Sequence, residues 1–242
     1  MAKEPKTAVV MPVANEEATM ERVIDMIMAL PYENLYYYPV FDDYSKDRTA
    51  EIIRKKAEGE PRIRPVYFKE SKGVISCYLE GYKRALAEGA DRIIEMDGGM
   101  SHDPSQIPQF MEKLDEGYEC VWGSRFVKGG GIRELPLYRR ILSSGGTILS
   151  NLVLGTRLKD MTSGYEAFQR HVLESIDLDR ILSTGHMYQT EMRFYCRRFR
   201  AVEVPIHYTG SSSGLSGSTV AEALKILFRL KKYEKNVWKD RT

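Results

Sequence analysis

"RIIEMDGGMSHDP", residues 92–104, decides the reading of this chain. Arg92 to Met96 reads as a buried strand, and the strand ends on a lone carboxylate, Asp97. Two glycines, Gly98 and Gly99, follow where a second acid might be expected. An acid at a strand tip, next to a turn without side chains, suits a ligand that must come close to the backbone.

Outward from this stretch, strands and helices alternate. Upstream, "TAVVMPV" (7–13) is an apolar, β-rich run. "NEEATMERVIDMIMAL" (15–30) has helical spacing, with Asn15 as its N-cap. "YYYPVFDD" (36–43) reads as a strand ending in two acids. "KDRTAEIIRKKAEG" (46–59) is helical and stops at a glycine, "RPVYF" (64–68) is a short strand, and 73–89 is helical again. Downstream, "PSQIPQFMEKLDEG" (104–117) is a helix begun by Pro104, and "YECVWGSR" (118–125) is a strand. Such alternation with short links predicts an α/β fold with a mostly parallel sheet flanked by helices.

The second half is less regular. A glycine-rich loop (127–136) leads to a helix with small residues in its middle (137–155). Then come a polar turn, "KDMTSGYEAF" (159–168), a helix (187–199), a strand (201–208) and a Ser/Gly loop (209–218). No repeat or linker interrupts the chain, so a single domain over residues 1–242 is expected. Residues 219–242 form its basic amphipathic terminal helix and tail.

Composition excludes several classes. Of 242 residues, 43% are apolar and 29% charged, an ordinary globular balance. The net charge of +2, from 36 basic and 34 acidic residues, argues against a dedicated nucleic-acid binder. Cys77, Cys120 and Cys196 form no C-x-x-C pair and read as buried free thiols in a reducing cytoplasm. The N-terminus lacks a signal-peptide apolar region, and no apolar run is long enough to span a bilayer.

In open parallel sheets, ligands sit beyond the carboxyl ends of the strands. This sequence places Pro12, Asn15 and Glu16 after the first strand and Asp42 and Asp43 after the second. Asp97 follows the fourth, and Gly123, Ser124 and Arg125 the fifth. The dinucleotide fingerprint and the P-loop are both missing, so a nucleotide would be held by side chains rather than glycine amides. Carboxylates can accept from a base or a ribose, but they repel a diphosphate unless a divalent cation bridges the two.

Six segments then make a resemblance specific: "VVMPVANEE", "FDDYSKDRT", "EMDGGMSHDP", "GSRFVKGGG", "DMTSGYEAF" and "EVPIHY". In this order and spacing they resemble family 2 glycosyltransferases of the GT-A fold. The nearest likeness is to the dolichyl- or polyprenyl-phosphate mannose synthase branch, over residues 7–218. The resemblance implies that Pro12, Asn15 and Glu16 line a nucleoside site and that Asp42 and Asp43 hold its base or ribose. It implies that Asp97 is the first acid of a D-x-D motif binding Mg²⁺ or Mn²⁺, with Gln189 as a further ligand. Gly98 and Gly99 would admit the diphosphate. Arg125, with Arg139 or Arg140, would lie near the phosphates, and Asp160 near the sugar.

The departures carry weight as well. Gly99 replaces the second acid, Ala14 stands where an aromatic is common, and Ser211 and Gly217 replace an Arg and a Lys. An aspartate at position 99 is expected to strengthen cation binding, unless the glycine holds a positive φ. Other readings stay open. His102 either ligates metal or caps the helix at Pro104. His186 and His207 read as structural or surface residues, and the Gly129–Gly131 run is a plain loop or a lid. The terminal helix either packs on the core with a solvated basic face or rests on anionic lipid.

The implied activity is inverting transfer of a hexose from a nucleoside-diphosphate sugar to an acceptor, foremost a polyprenyl phosphate at the inner face of a membrane. A hydroxyl acceptor would need a base, for which Asp160 is the candidate. The departures also suit a diverged, non-catalytic nucleotide-sugar-binding subunit.

Overall fold

β1 (Thr7–Pro12) is buried along its whole length, as an interior strand of the main sheet. In the computed structural model, residues 4–133, 137–185, 187–209 and 217–233 are described, the side chains of 133, 137–143 and 217–223 excepted. The first half alternates as the sequence predicts: α1 (Met20–Met28), β2 (Leu35–Phe41), α2 (Thr49–Gly59), β3 (Val66–Tyr67), α3 (Val74–Ala87), β4 (Arg92–Glu95), α4 (Ile107–Asp115) and β5 (Cys120–Ser124). Then come β6 (Gly131–Arg133), α5 (Leu137–Leu154), β7 (Glu166–Gln169), α6 (Arg170–Glu174), α7 (Tyr188–Cys196), β8 (Ala201–Pro205), β9 (His207–Thr209) and α8 (Gly217–Tyr233).

A seven-stranded sheet runs in the order β3-β2-β1-β4-β7-β5-β8. Its pairings are parallel except those of β7, which runs antiparallel between β4 and β5. Period-2 alternation sends the side chains of β1 to two cores. Ala8 and Val10 join Tyr38, Trp122 and the residues of α3 and α7 on one face. Val9 and Met11 join Val23, Ile27, Phe110 and Ile107 from α1 and α4 on the other. Both faces are thus covered by helices, as a parallel sheet requires.

Three local expectations change. The segment read as the polar turn 159–168 contains the start of β7, which completes the middle of the sheet. The Gly129–Gly131 run leads directly into β6, which pairs in parallel with β9 in a small second sheet. Helix α1 begins at Met20, not at Asn15. Asn15 has a left-handed φ of 57°, accepts from the Lys46 N–H at 2.9 Å, and gives its own N–H to Ser45. It ties the β1 loop to the β2 loop instead of capping a helix. All three cysteines are buried, and none forms a disulfide.

Candidate active site

The carboxyl ends of β1, β2, β4 and β5 open on one edge of the sheet, and the polar residues collect there. The loops after β1 and β2 are stitched together. Glu16 N–H donates to Thr49 Oγ1 at 2.8 Å and Glu17 N–H to Asp47 Oδ2 at 2.9 Å. Slight burial raises the Asp47 carboxyl, but its hydrogen bonds outweigh this and hold it down at about 2. Asp42 folds back to accept from the Tyr44 N–H, an Asx-type turn, and Asp43 accepts from the Tyr67 hydroxyl at 2.7 Å. Both acids therefore stand at the tip of β2, Asp42 half-buried and Asp43 exposed.

Asp97 stands beyond β4, with its side chain 36% exposed. The hydroxyl of Tyr78, on α3, donates to Asp97 Oδ1 at 2.7 Å. The Asp97 N–H donates to Nδ1 of His102 at 3.0 Å. Burial holds His102 below the usual histidine range, so it is neutral with its proton on Nε2. It stacks on Tyr165 at 4.9 Å and meets Tyr208 edge-on. Nδ1 is therefore occupied, and His102 props the Asp97 turn, with its Nε2 3.7 Å from Asp97 Oδ2. The cap at Pro104 comes from Asp103, whose side chain accepts from the Ser105 N–H.

Gly164, in the turn before β7, brings Asp97 and Gln189 together. A Cβ at Gly164 would lie 2.8 Å from Asp97 Oδ1 and 3.3 Å from the Gln189 amide nitrogen. Only glycine leaves that space open, and rotating the amide would turn its oxygen inward. On the neighbouring turn Gly99 has a φ of +71°, and a Cβ there would meet Glu16 Oε2 at 2.6 Å. The Thr19 hydroxyl fixes that same oxygen at 2.9 Å. The carboxylate of Glu16 thus fills the space that a side chain at position 99 would enter. A Cβ on Gly98 would strike the Pro12 carbonyl at 2.8 Å. One carboxylate, one amide and two glycine-lined gaps fit a divalent cation whose remaining ligands come from a diphosphate. Among the described residues, no group of three or more His, Cys, Asp or Glu forms a complete protein cage.

Arg125 and Asp160, expected near the phosphates and the sugar, bond to each other. Their side chains form a bidentate pair, with Nε–Oδ2 and Nη2–Oδ1 both at 2.7 Å. Arg125 N–H adds a third bond to Asp160, and Nη2 also donates to Thr162. Asp160 is fully buried. Burial alone would raise its carboxyl, but Arg125 overrides this and holds it below the ordinary aspartate value. An acid with both oxygens bonded to a guanidinium is a poor proton acceptor, which disfavours Asp160 as the base of a hydroxyl-transfer reaction. The guanidinium in turn spends one edge on Asp160 and braces the tip of β5 against the turn at Asp160–Thr162. Arg139 and Arg140 lie on the first turn of α5; their side chains, and Ser211, are outside the described residues.

Sequence reasoning missed the layer beneath the tips. Glu95 on β4 is directly opposite Glu166 on β7, and both are fully buried. The Tyr82 hydroxyl donates to Glu95, and Tyr188 reaches the same oxygen at 3.3 Å. Arg193 of α7 pairs with Glu166 and donates to the Ser163 carbonyl at 2.8 Å. Burial pushes Glu166 up to about 8, and burial with the neighbouring Glu166 pushes Glu95 up too. Glu95 precedes Asp97 by two residues, Tyr188 adjoins Gln189, and Ser163 adjoins Gly164. The network therefore joins the three segments that converge at Asp97, Gly164 and Gln189. A glutamate inside the apolar run 92–96, and an arginine in the apolar helix 188–196, were its traces in the sequence.

The profile of "Glycosyl transferase family 2" matches residues 8–177. The chain belongs to glycosyl transferase family 2. This family 2 glycosyltransferase is 32% identical to polyprenol monophosphomannose synthase of Mycolicibacterium smegmatis, over 90% of this chain and 84% of that protein. It is 35% identical to undecaprenyl-phosphate mannosyltransferase of Micrococcus luteus, over 76% of this chain and 78% of that protein. It is 30% identical to dolichol-phosphate mannosyltransferase of Pyrococcus furiosus, over 95% of this chain, but spans 64% of that longer protein. In structure it is similar to glucosyl-3-phosphoglycerate synthase of Mycobacterium tuberculosis, solved with Mn²⁺ and UDP. The TM-score is 0.66, with 98% of this chain and 82% of that chain covered at 19% identity. The fold of this family 2 glycosyltransferase is thus GT-A, with its strand tips at the crevice where ligands collect in such sheets.

Proposed function

We propose that this chain transfers mannose, with inversion, from a nucleoside-diphosphate sugar to a polyprenyl phosphate. The observation that carries the proposal is the convergence of Asp97 and Gln189 over Gly164, on a chain whose relatives are named for transfer to polyprenyl carriers. Asp97 and Gln189 would hold Mg²⁺ or Mn²⁺. The cation supplies charge stabilisation to the departing diphosphate. Asp42 and Asp43 accept from the base or ribose, with Asn15 and Pro12 fixing the loop beside them. Gly98 and Gly99 keep the floor free of side chains. Glu16 stands beside that floor, and the Arg125–Asp160 pair fixes the wall of the crevice.

A phosphate acceptor suits this arrangement. It is already an anion near neutral pH and attacks without general-base help. The residue that a hydroxyl acceptor would have called on, Asp160, is locked to Arg125. No described helix is long and apolar enough to cross a membrane. On this reading a lipid acceptor is met at the membrane surface.

Two measurements test this. A thermal-shift panel of UDP, GDP and dTDP sugars, with and without Mn²⁺, should show one nucleotide raising the midpoint only with the cation. That sugar nucleotide should then be consumed on adding a short polyprenyl phosphate. Consumption with soluble glycosides alone would overturn the acceptor assignment.

A further inference from the structure

Arg193, on α7, is only 1% exposed, and its guanidinium is bonded in two directions. Nη1 pairs with Glu166 of β7, and Nη2 donates to the Ser163 carbonyl at 2.8 Å. Its Cζ lies 5.1 Å from the centre of the Trp122 ring on β5. For stability alone, a buried ion pair does little that well-packed apolar side chains could not do as well. What no apolar side chain can do is hold a carbonyl oxygen.

That carbonyl belongs to the peptide joining Ser163 to Gly164. A Cβ at Gly164 would lie 2.8 Å from Asp97 Oδ1 and 3.3 Å from the Gln189 amide nitrogen, so the placement of this peptide sets the gap those two groups share. Arg193 follows Gln189 by one helical turn, and the two project from the same side of α7. Next to Gln189, the buried Thr190 donates its hydroxyl to the Met161 carbonyl at 2.9 Å. Helix α7 thus carries Gln189 and also grips the turn at 161–164 by two carbonyls. Tyr188, on the other flank of Gln189, stacks on Tyr78, whose hydroxyl donates to Asp97 Oδ1.

We infer that Arg193 is a positioning residue for the divalent cation: by tying the Ser163 carbonyl to α7, it sets the spacing of Asp97, Gly164 and Gln189. It acts through those residues, from beneath the strand tips. A lysine would not serve. Its ammonium is one point charge in place of a planar fork, so pairing with Glu166 would leave the Ser163 carbonyl without its donor. The inference deepens the cation reading of Asp97 and Gln189 and rests on it.

The test is a Mn²⁺ titration of the full chain in the presence of UDP or GDP, followed by loss of the free-ion paramagnetic resonance signal. Arg193→Lys should weaken Mn²⁺ binding about tenfold or more. Nucleotide affinity measured in a chelator should hold, because Asp42 and Asp43 stand on a different strand tip. Arg193→Met with Glu166→Gln strands no charge in the core and should show the same loss, whether or not the lysine variant folds. Leu173→Ala is the control for stability. Leu173 is buried on α6, which follows the end of β7 that pairs with the start of β4, away from the strand tips. That change should lower the melting midpoint and leave Mn²⁺ affinity alone. Undiminished Mn²⁺ affinity in a folded Arg193 variant overturns the inference and leaves the cation reading standing. An equal loss in Leu173→Ala overturns it too, since affinity would then follow stability. Absence of Mn²⁺ binding in the unaltered chain overturns the cation reading and the inference together.

Discussion

The carboxylate of Glu16 stands 2.6 Å from the point where a side chain on Gly99 would begin. The missing second acid of the metal motif is therefore not an empty place waiting for a carboxylate. Glu16, anchored by Thr19, already occupies the approach, and the Gly99 backbone is left-handed.

Replacing Gly99 with aspartate should accordingly harm the protein, contrary to what the sequence pattern suggests. The left-handed backbone alone costs about 1–2 kcal/mol for a residue with a Cβ. Two carboxylates forced together add repulsion. Thermal denaturation of Gly99→Asp should show a lower midpoint, and Mn²⁺-dependent nucleotide binding should weaken. A variant of unchanged midpoint that binds Mn²⁺ more tightly would show that Glu16 moves aside.

On the proposed reading, Asp97→Ala should abolish the difference in nucleoside-diphosphate affinity with and without Mn²⁺. Tyr78→Phe is the subtler test, because it leaves the carboxylate in place and removes only the 2.7 Å bond that orients it. Loss of such an orienting partner lowers metal affinity about 10–100-fold. Calorimetry should find that loss with the fold intact. Unchanged affinity in Tyr78→Phe would mean that the Asp97 orientation seen here is not the binding one.

Asp160→Asn should be severe for stability and silent in the pH profile of turnover. It leaves the Arg125 guanidinium, only 11% exposed, without its ionic partner. Breaking a buried pair from one side costs about 3–5 kcal/mol. Urea denaturation should report a loss of that order. If any activity survives, its dependence on pH should match that of the unaltered chain, since Asp160 carries no proton in the reaction. Disappearance of an acidic limb in the profile would restore Asp160 as a base.

The sequence exposed the first half of the fold because each strand there is a continuous apolar run bounded by a turn. β7 escaped because its four residues begin with Glu166 and follow a Ser-Gly turn, so neither a period nor a run marks it. Its identity as a central strand depends on β4 and β5 on either side. The strand-tip acids were legible one by one, since carboxylates at strand ends are informative wherever the sheet is parallel. The pairing of Arg125 with Asp160 was not legible, because 35 residues separate them and each alone looks ready for a ligand. Convergence of Asp97, Gly164 and Gln189 depends in the same way on the antiparallel insertion of β7.

The buried pair beneath the site makes a prediction about pH. Burial raises the Glu166 carboxyl to about 8 in the folded chain, against 4.5 for an unperturbed glutamate. Between those two values the folded chain keeps a proton that the unfolded chain has released. The contribution of this group to stability is therefore complete below about pH 4.5 and declines as pH rises toward about 8. Glu166→Gln mimics the protonated form at every pH. Its stability should track the unaltered chain at about pH 5 and exceed it at about pH 8, with a residual slope from Glu95, which burial pushes the same way. Arg193 keeps a neutral partner in the variant, as it has in the protonated native state. Melting curves of the two proteins across this range decide the matter. Parallel curves would mean that Glu166 is ionised in the fold and that its pairing with Arg193 prevails over burial.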